Sequence, residues 1–218
     1  MRQAWKYLSA AHGSTSALLD ALAVVREQNK KTAGKTHGRL SNDEIELLRA
    51  ALVFTSSGLD ASLQRLCRDV LPVLIRRPGS GARAKYQEFL KHEMGAPKAS
   101  EPFRAAVLAT DPEVELIKFY VKARTKSSYQ GSGELKTRVR DALGISRNAI
   151  LDADLTTLDP FFEARNAIVH GMDYVDPESS SGRKRHHRKR DATVAECDLV
   201  FALAARFITE TAKSLRRK

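Results

Sequence analysis

Cysteine occurs twice in 218 residues, tryptophan once, and aromatic residues make up only 6% of the chain. Two cysteines, Cys67 and Cys197, far apart in sequence, exclude a disulfide framework and a four-ligand zinc site, and they fit a reducing compartment. Each reads as a small apolar core residue rather than a nucleophile. No apolar run approaches the roughly 20 residues that span a bilayer, and Met1-Arg2-Gln3-Ala4-Trp5-Lys6 leads into no secretory apolar segment. We therefore expect a cytoplasmic protein with no membrane partner. Strand-like alternation and internal repeats are also missing. Acidic residues are in deficit, 26 against 37 Lys and Arg, which leaves a net charge of +11. Clustered cations favour polyanions by counterion release, and nucleic acid is the foremost polyanion of a cell interior.

What is present is helical patterning. Hydrophobic residues at 42% suffice for one domain with a full core, with room for an extension. Residues 1–13 give few signals, and Ser14 to about Lys31 predicts a helix with Leu18, Leu22 and Val25 on one side. Ser41-Asn42-Asp43-Glu44 is a capping box that opens a long run to Ile75. There Leu59, Leu63, Leu66, Val70 and Leu74 keep helical spacing, and Ser56-Ser57-Gly58 is a place to kink or split it. Pro78 to Gly81 breaks the pattern, and a shorter helix follows at about Ala84 to Met94. Asp111-Pro112 opens another, with Val114, Ile117 and Val121 inward and Lys118, Lys122 and Lys126 in a row at i, i+4 and i+8. Ser127 to Gly133 predicts a flexible loop. Helices are expected at about Glu134 to Leu143 and Asp159 to His170. The last starts at Asp191 or Thr193, with a second capping box from Thr193 to Glu196 and a stripe of Val194, Cys197, Phe201, Ala204 and Ile208. The expected fold class is all-α, with residues 1–40 as an N-terminal helical extension and 41–218 as the helical domain.

The most informative stretch is Arg165-Asn166-Ala167-Ile168-Val169-His170-Gly171. Asp159-Pro160 predicts the helix start, an acceptor followed by proline in the first turn, and Gly171 predicts its C-terminal cap. At about 100° per residue, Glu163, Asn166 and His170 share one face, while Phe161, Ala164, Ile168 and Val169 occupy the other. Arg165 projects into the apolar arc between Phe161 and Val169. An unpaired guanidinium there loses hydration, so it needs an acidic partner, another subunit or a wet cleft. The plain alternative is that His170 complements the helix dipole and Arg165 pairs with a core carboxylate.

This stretch resembles the R-x4-6-H signature of the HEPN superfamily, including the polar residue after the arginine and the apolar pair before the histidine. Within the superfamily it is most similar to the RiboL-PSP-HEPN type. The resemblance is specific over residues 159–172 and looser, by helical pattern, from 41 to 217. It implies an up-and-down helical bundle that forms a homodimer with the Arg and His of both subunits in one cleft. It also implies metal-independent cleavage of single-stranded RNA, with no cofactor. In that reading Arg165, Asn166 and His170 are catalytic: His170 is the general base on the ribose 2′-hydroxyl, and Arg165 and Asn166 hold the phosphate. Glu163 would orient His170 or pair with Arg165, a role that rests on helical phase. Phage defence or a toxin–antitoxin pair, with an antitoxin as partner, is the implied setting. One departure is that Met172, two residues after His170, stands where a toxin branch of the superfamily carries a modifiable tyrosine; the nearest tyrosine is Tyr174.

Two basic features complete the reading. Arg183-Lys184-Arg185-His186-His187-Arg188-Lys189-Arg190 carries six permanent charges in eight residues. Such a block is expected to be mobile until phosphates neutralise it, which makes Arg183, Lys184, Arg185, Arg188, Lys189 and Arg190 candidate RNA contacts. Lys118, Lys122 and Lys126 read either as an ordinary charged face or as further RNA contacts, with Tyr129 placed to stack on an unpaired base. The rival functions are a non-catalytic nucleic-acid-binding scaffold of the same fold and a helical regulatory protein whose basic loop docks an acidic partner.

Overall fold

The Ser41–Glu44 signature forms the capping box its spacing predicts. The Ser41 N–H donates to the Glu44 carboxylate at 2.5 Å, and the Glu44 N–H donates to the Ser41 hydroxyl at 3.3 Å. Helix α2 (Asn42–Arg76) begins there, and in the computed structural model it is the axis of an all-α fold. The structure describes residues 1–33, 40–176, 178 and 184–216, and among them no named strand occurs. Leu59, Leu63 and Leu66 are fully buried, and Val70 and Leu74 nearly so, as their spacing predicts. Burial of each such side chain contributes about 1.5–3 kcal/mol before entropy is counted.

Helix α1 (Arg2–Ala33) starts 12 residues earlier than Ser14, the start that its leucine pattern predicts. Its N-terminal half is helical because Ala4 and Leu8 are buried in the same core as α2, a tertiary effect invisible in local propensity. By length and composition alone α1 is long and apolar enough to cross a membrane, which corrects the expectation that no segment approaches that. Its Ala4, Leu8 and Leu22 are buried inside the protein. Ser56-Ser57-Gly58 does not split α2, which runs unbroken from Asn42 to Arg76. Gly58 instead admits α1: a Cβ there would stand 2.1 Å from the Cβ of Ala11.

The remaining elements run α3 (Gly81–Gly95), α4 (Glu101–Val107), α5 (Pro112–Thr125), α6 (Ser132–Glu134), α7 (Asp152–Thr156), α8 (Asp159–Gly171) and α9 (Arg190–Arg216). Ser80 caps α3 by accepting from the Arg83 N–H at 3.1 Å, and Asp111 caps α5 by accepting from Val114 at 3.1 Å. Helices α4 and α7 have no counterpart in the sequence expectation. Where one regular helix is predicted from Glu134 to Leu143, α6 runs into a π-helical turn, Leu135–Arg140. Helix α9 buries Cys197, Phe201, Ala204 and Ile208 as expected. Thr193 does not cap it; it lies inside the helix and is buried.

Candidate active site on helix α8

Helix α8 begins at a competition for one carboxylate. Asp159, expected to cap the helix, sits inside the first turn and accepts from the Ser132 N–H and hydroxyl, both at 3.0 Å. It thereby staples the start of α6 to the motif helix. Phe161, Phe162, Ala164 and Ile168 are buried, whereas Val169, expected on the same side, is 45% exposed. The C-terminus also differs from expectation. Gly171 remains helical, and the left-handed positions are Met172 (φ 51°) and Asp173 (φ 63°). The Asp173 N–H donates to the Ala167 carbonyl at 2.8 Å and the Met172 N–H to Ile168 at 3.0 Å, a nested pair in which each bond reaches one residue further back than in a Schellman closure. Two consecutive non-glycine residues with positive φ cost roughly 1–3 kcal/mol each and persist only where surrounding contacts hold them.

Those contacts converge on Asp173, whose side chain is fully buried. Arg49 Nε of α2 donates to it at 2.7 Å, and Arg188 donates through Nη2 at 2.5 Å and Nε at 3.1 Å. Burial raises the pKa of this carboxyl, but the bonds from Arg188 and Arg49 outweigh it and hold the group below its ordinary value. The same cluster fastens the basic segment. The His186 N–H donates to the Asp173 carbonyl at 2.8 Å, Arg49 donates to the His186 carbonyl at 3.0 Å, and Tyr174 and Arg185 form an isolated antiparallel bridge. Arg185 pairs with Glu46 and donates to the Met172 carbonyl at 2.7 Å. Residues 184–190 are therefore pinned by carboxylates of this chain, which corrects the expected mobile block. Of its candidate RNA contacts, Arg185 and Arg188 are engaged internally, Arg190 approaches Asp191 at 3.4 Å, and Lys184 and Lys189 are exposed. Arg183 lies outside the described residues.

Arg165 is half-buried, and its direct partner is a neighbour: Nη1 donates to the Asn166 side-chain oxygen at 2.9 Å. Asn166 in turn reaches the Gln130 carbonyl at 3.4 Å. The acidic group that faces this guanidinium is Asp60 of α2, which interacts with Arg165 through space without a direct ion pair among the described residues. Burial raises the Asp60 pKa to about 6, offset in part by the Tyr129 N–H, which donates to it at 2.8 Å, and by the charges of Arg165 and Arg138. Sequence reasoning missed Asp60. Its one signal was an acidic residue between Leu59 and Leu63 on the core helix. Asp173 was missed too, although an Asp just past a helix tolerates left-handed backbone.

His170 and Glu163 are both exposed on α8. Among the described residues neither has a hydrogen bond or an ion pair, so Glu163 touches neither His170 nor Arg165 in this conformation. Tyr129, expected to await a base in a flexible loop, is instead fully buried, with the Arg138 guanidinium 4.6 Å from its ring centroid. Arg138 also fixes that loop by donating to the carbonyls of Arg124 and Ser128, both at 3.1 Å, and of Ser127 at 2.5 Å. Lys118 and Lys122 on α5 and Lys126 at its C-cap form an exposed row, as predicted. Among the described residues no group of three His, Cys, Asp or Glu side chains is placed to hold a metal ion. No family model matches this chain, no curated protein matches its sequence, and no solved structure matches its fold.

Proposed function

We propose that this chain is a metal-independent endoribonuclease of the HEPN type that cleaves single-stranded RNA, acts as a homodimer, and serves in phage defence or a toxin–antitoxin pair. The observation that carries this reading is the state of Arg165. Its guanidinium is half-buried yet, among the described residues, neutralised by no direct carboxylate, because its hydrogen bond goes to Asn166 and Asp60 acts only through space. A cation held in that way is available to a phosphate. In the proposed reaction His170 takes the proton of a ribose 2′-hydroxyl, and the 2′-oxygen bonds to phosphorus. The 5′-oxygen departs with a proton from solvent, leaving a 2′,3′-cyclic phosphate. Arg165 and Asn166 stabilise the charge on the non-bridging oxygens. Val169 and Met172, 45% and 63% exposed on either side of His170, supply apolar surface that supports pairing of two motif helices about a two-fold axis.

A non-catalytic nucleic-acid-binding or regulatory scaffold is the second reading. It is favoured by His170, whose ring has no orienting hydrogen bond among the described residues. One experiment separates the two. Binding and single-turnover cleavage of a labelled single-stranded RNA are measured with EDTA present, for the parent and for His170→Ala. The endoribonuclease reading expects cyclic-phosphate ends, intact DNA, near-normal binding by the variant, and cleavage slower by about 10²-fold or more. Equal cleavage by the variant, or equal cutting of DNA, overturns it in favour of the scaffold.

A further inference from the structure

Helices α2 and α5 lie antiparallel, since Arg76 meets Glu113 at 3.5 Å at one end and Arg68 donates to Thr125 at 3.4 Å at the other. Between them runs an open trough of about 610 Å³. Its floor is apolar, formed by Pro72, Val114, Ile117 and Val121. Its rim is cationic, formed by Arg68, Arg76, Lys118, Lys122 and Lys126.

Two of those cations are compensated, Lys118 by Glu115 at 2.7 Å and Arg76 by Glu113. Three are not: Arg68 bonds only to the neutral groups of Gln64 and Thr125, and among the described residues Lys122 and Lys126 reach no carboxylate. The trough thus combines an apolar floor with uncompensated positive charge along its edge. Single-stranded nucleic acid is a poor match, because it stacks its bases on aromatic side chains, and none of the residues lining this trough is aromatic. A helix suits it better. The stretch from Val114 to Thr125 is on the order of 16 Å long at 1.5 Å per residue, about three helical turns, enough for anchors at i, i+3, i+4 and i+7.

We propose that the trough between α2 and α5 docks an acidic amphipathic helix of a partner protein, its apolar stripe on the partly exposed Pro72, Val114 and Val121 and its carboxylates on Arg68, Lys122 and Lys126. The inference does not rest on the catalytic reading of α8. It assigns the lysine row to a protein partner in place of RNA.

The test uses the full chain and fluorescent peptides of about 16 residues, with Leu at i, i+3, i+4 and i+7 and Glu at the other positions, prepared in several registers. A scrambled peptide of equal composition, a Lys-for-Glu peptide and a single-stranded RNA serve as rivals. At least one acidic register should saturate. Its Kd should rise about tenfold or more with Lys122→Glu/Lys126→Glu, and also with Val121→Ser, which leaves the charge unchanged, while circular dichroism shows both variants as helical as the parent and folded at the assay temperature. The proposal is overturned if the scrambled peptide binds as tightly, or if no register saturates. It is equally overturned if RNA displaces the peptide and loses the same affinity in the double variant, which would return the row to nucleic acid.

Discussion

Two carboxylates stand beside the motif helix and behave oppositely. Asp173 at its C-terminal end has no solvent-exposed surface, yet its pKa is lowered; Asp60 beside Arg165 keeps some exposure, yet burial is the largest influence on it and raises its pKa to about 6. Both are near arginines. The difference lies in contact: Asp173 accepts directly from Arg49 and Arg188, whereas Asp60 accepts one backbone N–H and feels Arg165 and Arg138 only across space. Charge-assisted hydrogen bonds overcome desolvation, and distant charges do not. The C-terminal end of α8 is consequently a structural clamp, and its middle keeps an electrostatic tension that a bound phosphate would alter.

The largest test of this contrast is Asp173→Ala. It leaves the buried Arg49 with only the half-exposed Glu46, 2.9 Å away, as a charge partner and removes the anchor of two left-handed residues, so we expect a loss of about 3 kcal/mol, the low end for a broken buried pair, in urea unfolding. A loss below about 1 kcal/mol would show that the clamp is not structural. Next comes Asp60→Asn, which keeps the acceptor for Tyr129 and removes the charge. A carboxyl whose pKa is raised on folding favours the folded state below its unfolded value near 3.8 and loses that contribution as pH rises through about 6. The Asn variant should therefore gain about 1–3 kcal/mol on the parent above pH 6, allowing for partial exposure, and flatten the slope between about pH 4 and 6 in thermal melts. Asp173 has the reverse sign: its contribution is present above the ordinary carboxylate range and fades as pH falls below it. Arg188→Ala should cost about 1–3 kcal/mol, less than loss of the acid, because Arg49 still satisfies Asp173. A cost equal to that of Asp173→Ala would mean that the basic segment, not Arg49, holds the clamp. The smallest effect is expected from Arg165→Gln, which should move the Asp60 pKa further up from about 6 in an NMR titration. No movement would break the electrostatic link between them.

Features governed by local chemistry were legible in the sequence. The capping box at Ser41, the Asp111 cap and the leucine stripe of α2 depend on residues within a turn or two, and all stand where their spacing puts them. Long-range competition was not legible. Asp159 looks like a cap until Ser132 takes its carboxylate from another element, and Arg185 looks mobile until Glu46 of α2 pairs with it. Helices of seven and five residues, α4 and α7, are too short for a hydrophobic period to declare itself. For the candidate site, Arg165, Asn166 and His170 fall on one helix as predicted, but Asp60 comes from a helix about a hundred residues earlier in the chain. Only the fold places a carboxylate beside that guanidinium.

The two cysteines make the core its own reporter. Cys67 and Cys197 are buried, and burial pushes their thiols up to about 12 and about 11. In the closed protein a disulfide reagent meets neither an accessible sulfur nor a thiolate, so labelling has to wait for an opening of the packing. Cys67 rides on α2 and Cys197 on α9. The rates at which the two sulfurs are captured thus register separately how often each helix breathes, in the native chain and without an added probe.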